Sequence, residues 1–206
     1  MRSIGALAWI TVALACGSPA RTAAPSNRAS VADREGVQYV GDPHASVVIN
    51  YYFDYECPHC VTFSPMIDEL ERKYGSRIVV HYKNFQLARH PDARTAAIAV
   101  EAARRQGKFI EMHRLLMEHA ASWQDPDRRM FSPEALRDLA AKLGLDLARY
   151  DADIKDASAG ARVDGEYAEG EQHGLSFVPA VFFGTQLYEG PMAVAELSSA
   201  IDTRLR

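Results

Sequence analysis

Phe53-Asp54-Tyr55-Glu56-Cys57-Pro58-His59-Cys60 is the stretch that decides how this chain is read. Before it stands Val47-Val48-Ile49-Asn50-Tyr51-Tyr52-Phe53, a run of β-branched and aromatic side chains of strand length. Such a run reads as a strand covered on both faces. After it, from about Pro58 to Tyr74, Met66, Ile67 and Leu70 recur at helical spacing and predict a helix. The two cysteines therefore fall where a strand ends and a helix begins. In the first turn of a helix, their spacing brings the sulfurs within disulfide range. Cys57 meets the unpaired N–H groups and the positive end of the helix dipole, which favour a thiolate. Placement of this kind lowers a cysteine pKa from ~8.5 to between ~3.5 and ~7.5. Pro58 suits the first helical position, because the N–H it lacks would have no partner there. His59 is placed to add to the stabilisation, by charge or as an N–H donor. A stabilised thiolate favours the reduced pair and makes its disulfide a stronger oxidant.

A C-x-x-C at such a junction marks a thioredoxin-like redox site. Cys57-Pro58-His59-Cys60 resembles the active site of the DsbA-like thiol:disulfide oxidoreductases, a branch of the thioredoxin superfamily. The likeness continues along the chain. Gly41-Asp42-Pro43-His44-Ala45 resembles that family's lead-in to its first core strand. His90-Pro91-Asp92-Ala93 through Gln106-Gly107-Lys108-Phe109 is similar to the start of its helical insertion, and Val178-Pro179-Ala180-Val181-Phe182-Phe183 to its proline strand. The resemblance implies an α/β thioredoxin fold, with a helical insertion between a β-α-β half and a C-terminal β-hairpin-α half. It implies catalytic roles for Cys57 and Cys60, tuned by Pro58 and His59. It also implies a cis Pro179 facing the disulfide, with the Val178 backbone pairing to substrate peptide. No cofactor is expected beyond a Cys57–Cys60 disulfide.

Two positions depart from the family's pattern. Many relatives have Thr before the proline, and Val178 resembles the oxidase type; the family often has Gly where this chain has Phe177. Tyr51 stands where many thioredoxin-like proteins have a buried carboxylate that helps move protons.

Arg77 to Tyr82 reads as a second strand, and Gly75 as the stop of the helix before it, which makes a β-α-β unit. The next hundred residues look helical: Asp92 to Gln106, Lys108 to about Ala121, then a helix opened by Ser132-Pro133-Glu134 and ending near Leu143-Gly144. Asp146 can cap the next helix, and more helix runs to about His173. Ala180–Phe183 and Gln186–Glu189 read as a hairpin around Gly184-Thr185, with Met192 to Leu205 a closing helix. The insertion spans about residues 90–173.

The 206 residues are 48% apolar and 24% charged, enough for one domain with a sizeable core. A net charge of −4 without a basic face gives no support for nucleic-acid binding. The third cysteine, Cys16, is left over if Cys57 and Cys60 pair. Met1-Arg2 is a short basic start, and Ile4 to Ala15 an apolar run too short to span a bilayer. It ends in Ala13-Leu14-Ala15-Cys16, which resembles the lipobox of bacterial lipoproteins, although the family usually has Leu where Ala13 stands and a small residue at Leu14. The same residues also read as an ordinary small-x-small cleavage site. The expected organisation is a signal peptide over residues 1–15, a flexible tether over 16–36 and a thioredoxin-like domain over 37–206. Cys16 is the expected lipidation site. Either way the compartment is extracytoplasmic and disulfide-permissive.

The function expected is oxidation of exported proteins that are reduced or misoxidised, by a monomer recycled by a membrane redox partner. A reductase or isomerase would use the same residues. A metal-binding lipoprotein would need further ligands beside Cys57 and Cys60. His113 and His119 do not share a helix face, and His44, His81, His90 and His173 lack ligand spacing, so no metal site is expected. These histidines are read as surface or locally bonded, and the carboxylates Asp54 and Glu56 as solvated, with a proton-relay role for Glu56 the alternative.

Overall fold

A computed structural model of the protein describes residues 31–32, 38–123 and 129–206. The expected signal peptide and the expected lipidation site Cys16 lie outside the described residues. The elements in chain order are β1 (Val31–Ala32), β2 (Gln38–Gly41), β3 (Val47–Phe53), α1 (Pro58–Tyr74), β4 (Ile78–Asn84), α2 (Ala93–Arg104), α3 (Phe109–Ser122), α4 (Pro133–Lys142), α5 (Leu147–Asp153), α6 (Ala157–Gln172), β5 (Ala180–Phe183), β6 (Gln186–Leu187) and α7 (Val194–Arg204). They form a mixed sheet in the order β1-β2-β4-β3-β5-β6. β3 and β4 pair in parallel through α1, and β5 joins β3 antiparallel, placing Tyr52 opposite Ala180. This is a thioredoxin fold with α2 to α6 inserted between its halves.

β3 is central, and side chains from both its faces are buried. Tyr51 packs against Phe63 of α1, whereas the Tyr52 hydroxyl donates to Glu169 of α6 at 3.0 Å. Adjacent strand residues point to opposite faces, so α1 and α6 cover opposite sides of the sheet. α7 lies beside α1, with the Tyr74 hydroxyl 2.9 Å from the Ser198 carbonyl. The insertion returns onto α1 through α3, where Arg114 meets Asp68 at 2.7 Å.

Two local readings change. Val31 and Ala32, within the expected tether, pair with Tyr39 and Gln38. β2 extends the sheet where only a lead-in was read; it ends at Gly41, whose φ of +112° and close approach to the Ile78 carbonyl admit no side chain. From Asp146 to His173 the helix is divided into α5 and α6, and Asp156 opens α6 by accepting from the Ser158 N–H. Asp146 and Ser132 cap as expected, accepting from the Arg149 and Ala135 N–H groups.

Candidate active site

β3 stops at Phe53, and residues 54–57 turn the chain into α1. The turn is built on Asp54. Its carbonyl accepts from the Cys57 N–H at 3.2 Å, and its Oδ1 from the Glu56 N–H at 2.7 Å. Its Oδ2 accepts from the Leu87 N–H at 2.8 Å and lies 2.7 Å from His90 Nδ1. Asp54 is buried, which corrects its reading as a solvated carboxylate. Glu56 is also engaged: its Oε2 accepts from the Asp92 N–H at 2.6 Å, capping α2 from another part of the chain. The Asp92 side chain is drawn away to Arg129. Burial pushes the Glu56 carboxyl up, against the N–H groups of Asp92 and Ala93 that draw it down.

Cys57 is the N-cap residue of α1, in extended conformation, with Pro58 at the first helical position. Both cysteines are free thiols and buried. Their environments push them apart. Cys57 is lowered to about 6, chiefly by a hydrogen bond from Cys60. Burial opposes this, while the backbone N–H groups of Cys60 and His59 add to it. Burial pushes the Cys60 thiol far up, reinforced by the bond to Cys57 and its charge. His59 itself is exposed at the helix start. The Val178-Pro179 bond is cis, and the Val178 carbonyl oxygen lies 3.7 Å from Cys57 Sγ. The structure therefore brings Cys57, Cys60, Pro58, His59, Val178 and Pro179 to one place from the two halves of the fold.

Two further groups stand behind the thiols. His113 is 1% exposed, so of the two readings given to the histidines, surface or bonded, it takes the bonded one. Its Nδ1 lies 3.1 Å from the Tyr55 hydroxyl and its Nε2 3.2 Å from the Ser64 hydroxyl. Burial lowers it to about 3, so the ring is neutral and ties α3 to the motif's strand end and helix. The Tyr51 hydroxyl is buried without a hydrogen-bond partner among the described residues. Burial, then the nearby Cys60 charge, pushes its pKa well up, so it cannot serve as the base that a carboxylate would be. Neither the Oδ2 bonds of Asp54 nor the bonds of His113 have a local sequence signal, since those partners lie 33 to 58 residues away.

Beside Pro58 a cleft of about 280 Å³ runs between the motif side, with Glu56 and Val61, and the insertion side, with Ala120, Ala121 and Met130. Among the described residues no three His, Cys, Asp or Glu side chains converge so as to hold a metal ion, and no helix is long and apolar enough to cross a membrane.

A family model described as "Thioredoxin" matches residues 33–203. A curated relative, the Na(+)/H(+) antiporter NhaA 1 of Mycobacterium sp. (strain KMS), is 33% identical over 167 residues, which is 79% of this chain but 26% of the relative. The chain thus spans about a quarter of the length of the curated relatives it matches, a segment of this fold's size. Among solved structures, a thioredoxin-like oxidoreductase from Silicibacter pomeroyi DSS-3 aligns with a TM-score of 0.70 at 22% identity, covering 86% of this chain and 97% of that one. The thiol-disulfide exchange protein alpha-DsbA2 from Wolbachia pipientis aligns at 0.69 and 20% identity, covering 80% and 85%. At these identities what is shared is the fold.

Proposed function

The chain belongs to the thioredoxin family and has a DsbA-like fold, and from that premise we propose that it is a thiol:disulfide oxidoreductase that oxidises exported proteins. A substrate thiolate attacks Cys57 Sγ of the oxidised protein. A substrate–Cys57 disulfide forms, the Cys57–Cys60 bond breaks, and Cys60 leaves with the electron pair and takes up a proton. A second substrate thiolate then attacks the substrate sulfur of the mixed disulfide, and Cys57 leaves as a thiolate. The substrate gives up two electrons, which the Cys57–Cys60 pair holds until a membrane redox partner removes them. The observation that carries this reading is the opposed character of the two sulfurs: Cys57 is lowered to about 6 and Cys60 pushed up. A low-pKa thiol is the better leaving group, so Cys57 is readily displaced from the mixed disulfide. Val178 and Pro179 take the substrate backbone beside Cys57, a role supported by the 3.7 Å approach of the Val178 carbonyl.

The same proposal puts the protein outside the cytoplasm, held by lipid on Cys16. Its support is the apolar run from Ile4 to Ala15 and the Ala13-Leu14-Ala15-Cys16 that ends it.

Oxidised wild type is expected to convert a dithiol peptide to its disulfide. Cys57→Ser should abolish the reaction, and so should Cys60→Ser, which has no intramolecular disulfide to give; treated with glutathione disulfide, Cys60→Ser should instead hold Cys57 as a mixed disulfide with glutathione. A wild-type rate in Cys57→Ser would overturn the proposal. Equilibration with glutathione decides the direction: a potential well above ~−180 mV supports oxidation, and one near ~−270 mV a reductant.

A further inference from the structure

Among the described residues one large apolar side chain stands out in water: Phe177, 54% exposed. A single exposed ring elsewhere on a surface would mean little. Its place gives it meaning. Val178, the next residue, is 7% exposed, and its carbonyl oxygen faces Cys57 Sγ at 3.7 Å. Phe177 Cα is one peptide, ~3.8 Å, from Val178 Cα. The chain therefore turns one side chain into the core and its neighbour out to water at the edge of the reactive sulfur. Cys57 is itself 1% exposed, so a reacting sulfur must be brought close and held. A lone ring is far too small for a stable interface, which needs about 1,000 Å². It suits brief contact with a short extended segment.

We propose that Phe177 is a specificity-determining residue, selecting protein thiols with an apolar or aromatic side chain next to the reacting cysteine. This deepens the thiol–disulfide reading and rests on it. When a segment lies along residues 177 and 178 with its cysteine at Cys57, main-chain pairing supplies sequence-independent affinity, and side-chain contact supplies the choice. A side chain adjoining the cysteine meets the Phe177 ring, and aromatic and aliphatic groups gain from leaving water there. A serine or a charged residue gains nothing.

The test uses the full oxidised chain and two dithiol peptides identical except for Leu or Ser beside the first cysteine. The readout is the ratio of their kcat/KM values within each variant. Wild type is expected to prefer the Leu peptide by about tenfold. Phe177→Ser should bring the ratio near one, and Phe177→Leu should keep most of it. A variant that merely damaged the site would lower both rates and leave their ratio. A wild-type ratio of one, or a ratio unchanged in Phe177→Ser, would overturn the inference. A wild type unreactive even toward glutathione would overturn the redox reading, and this inference with it.

Discussion

Two residues, Pro58 and His59, separate two sulfurs of opposite character. Cys57 sits where helix N–H groups and a neighbouring thiol favour the anion, whereas Cys60 is enclosed, and its anion would face that of Cys57. Alkylation of the reduced protein by iodoacetamide is therefore expected at Cys57 alone, with a rate that rises through a midpoint near pH 6 and then levels off. Mass spectrometry of the labelled peptide checks this, and labelling of Cys60 in the same range would contradict it. The cysteines and Pro58 were legible because their chemistry is local: a spacing and a helix start. Asp54, Glu56 and His113 were not. A carboxylate after a strand is usually solvated, and only the fold brings Leu87 and His90 to Asp54, or Tyr55 and Ser64 to His113.

Helices and strands were read well where their ends carry caps and their faces a period. β3 and α1 run as expected. α1 does so in spite of Pro65, which leaves a carbonyl without its helical N–H partner. Burial of Phe63, Ile67, Leu70 and Tyr74 on one face outweighs that local penalty. β2 carries no sequence signal, because four residues with no alternation give no period. α6 shows how one residue type means two things within one element. A Cβ at Gly165 would meet nothing within 4 Å, whereas at Gly170 it would come 2.5 Å from Phe85 Cδ2. Gly165→Ala is expected to stabilise the protein by about 0.5–1 kcal/mol through helix propensity. Gly170→Ala should destabilise it by ~1–3 kcal/mol through overpacking against a ring that α6 holds stacked on Tyr167. Urea denaturation of the two variants checks both signs.

At the scale of the molecule, α1 and α6 lie on opposite faces of one sheet, and the active-site residues come from both halves of the fold. The strand–helix alternation at the two ends, with helices between, made this architecture legible from sequence. The placement of α3 against α1 depended on side-chain contacts that no periodicity encodes. The thiolate also couples to global stability. The folded pKa of Cys57, about 6, lies below the ordinary value of 9.0. A depressed acid stabilises the folded reduced protein fully above the unfolded pKa, and that stability is lost as pH falls through the folded one. Between pH 8 and pH 5 the reduced form should lose ~2–3 kcal/mol relative to the oxidised form, which has no thiol to titrate. For a chain of this size that is roughly 5–10 °C in the gap between their Tm values. Calorimetry of both redox forms at the two pH values checks it; a reduced-minus-oxidised Tm difference that stays level or rises toward pH 5 would contradict it.

Asp54 and Glu56 bind backbone N–H groups of Leu87 and Asp92, outside the turn that carries them. Four letters are therefore not a transferable part. Moved alone to another strand–helix junction, Cys57 to Cys60 would arrive without the struts that fix the angle at which the strand enters the helix. The smallest piece that can be inherited or grafted intact is two strips of chain, residues 54–60 and 87–92. A recombination point that falls between those strips parts the reactive sulfur from its mounting.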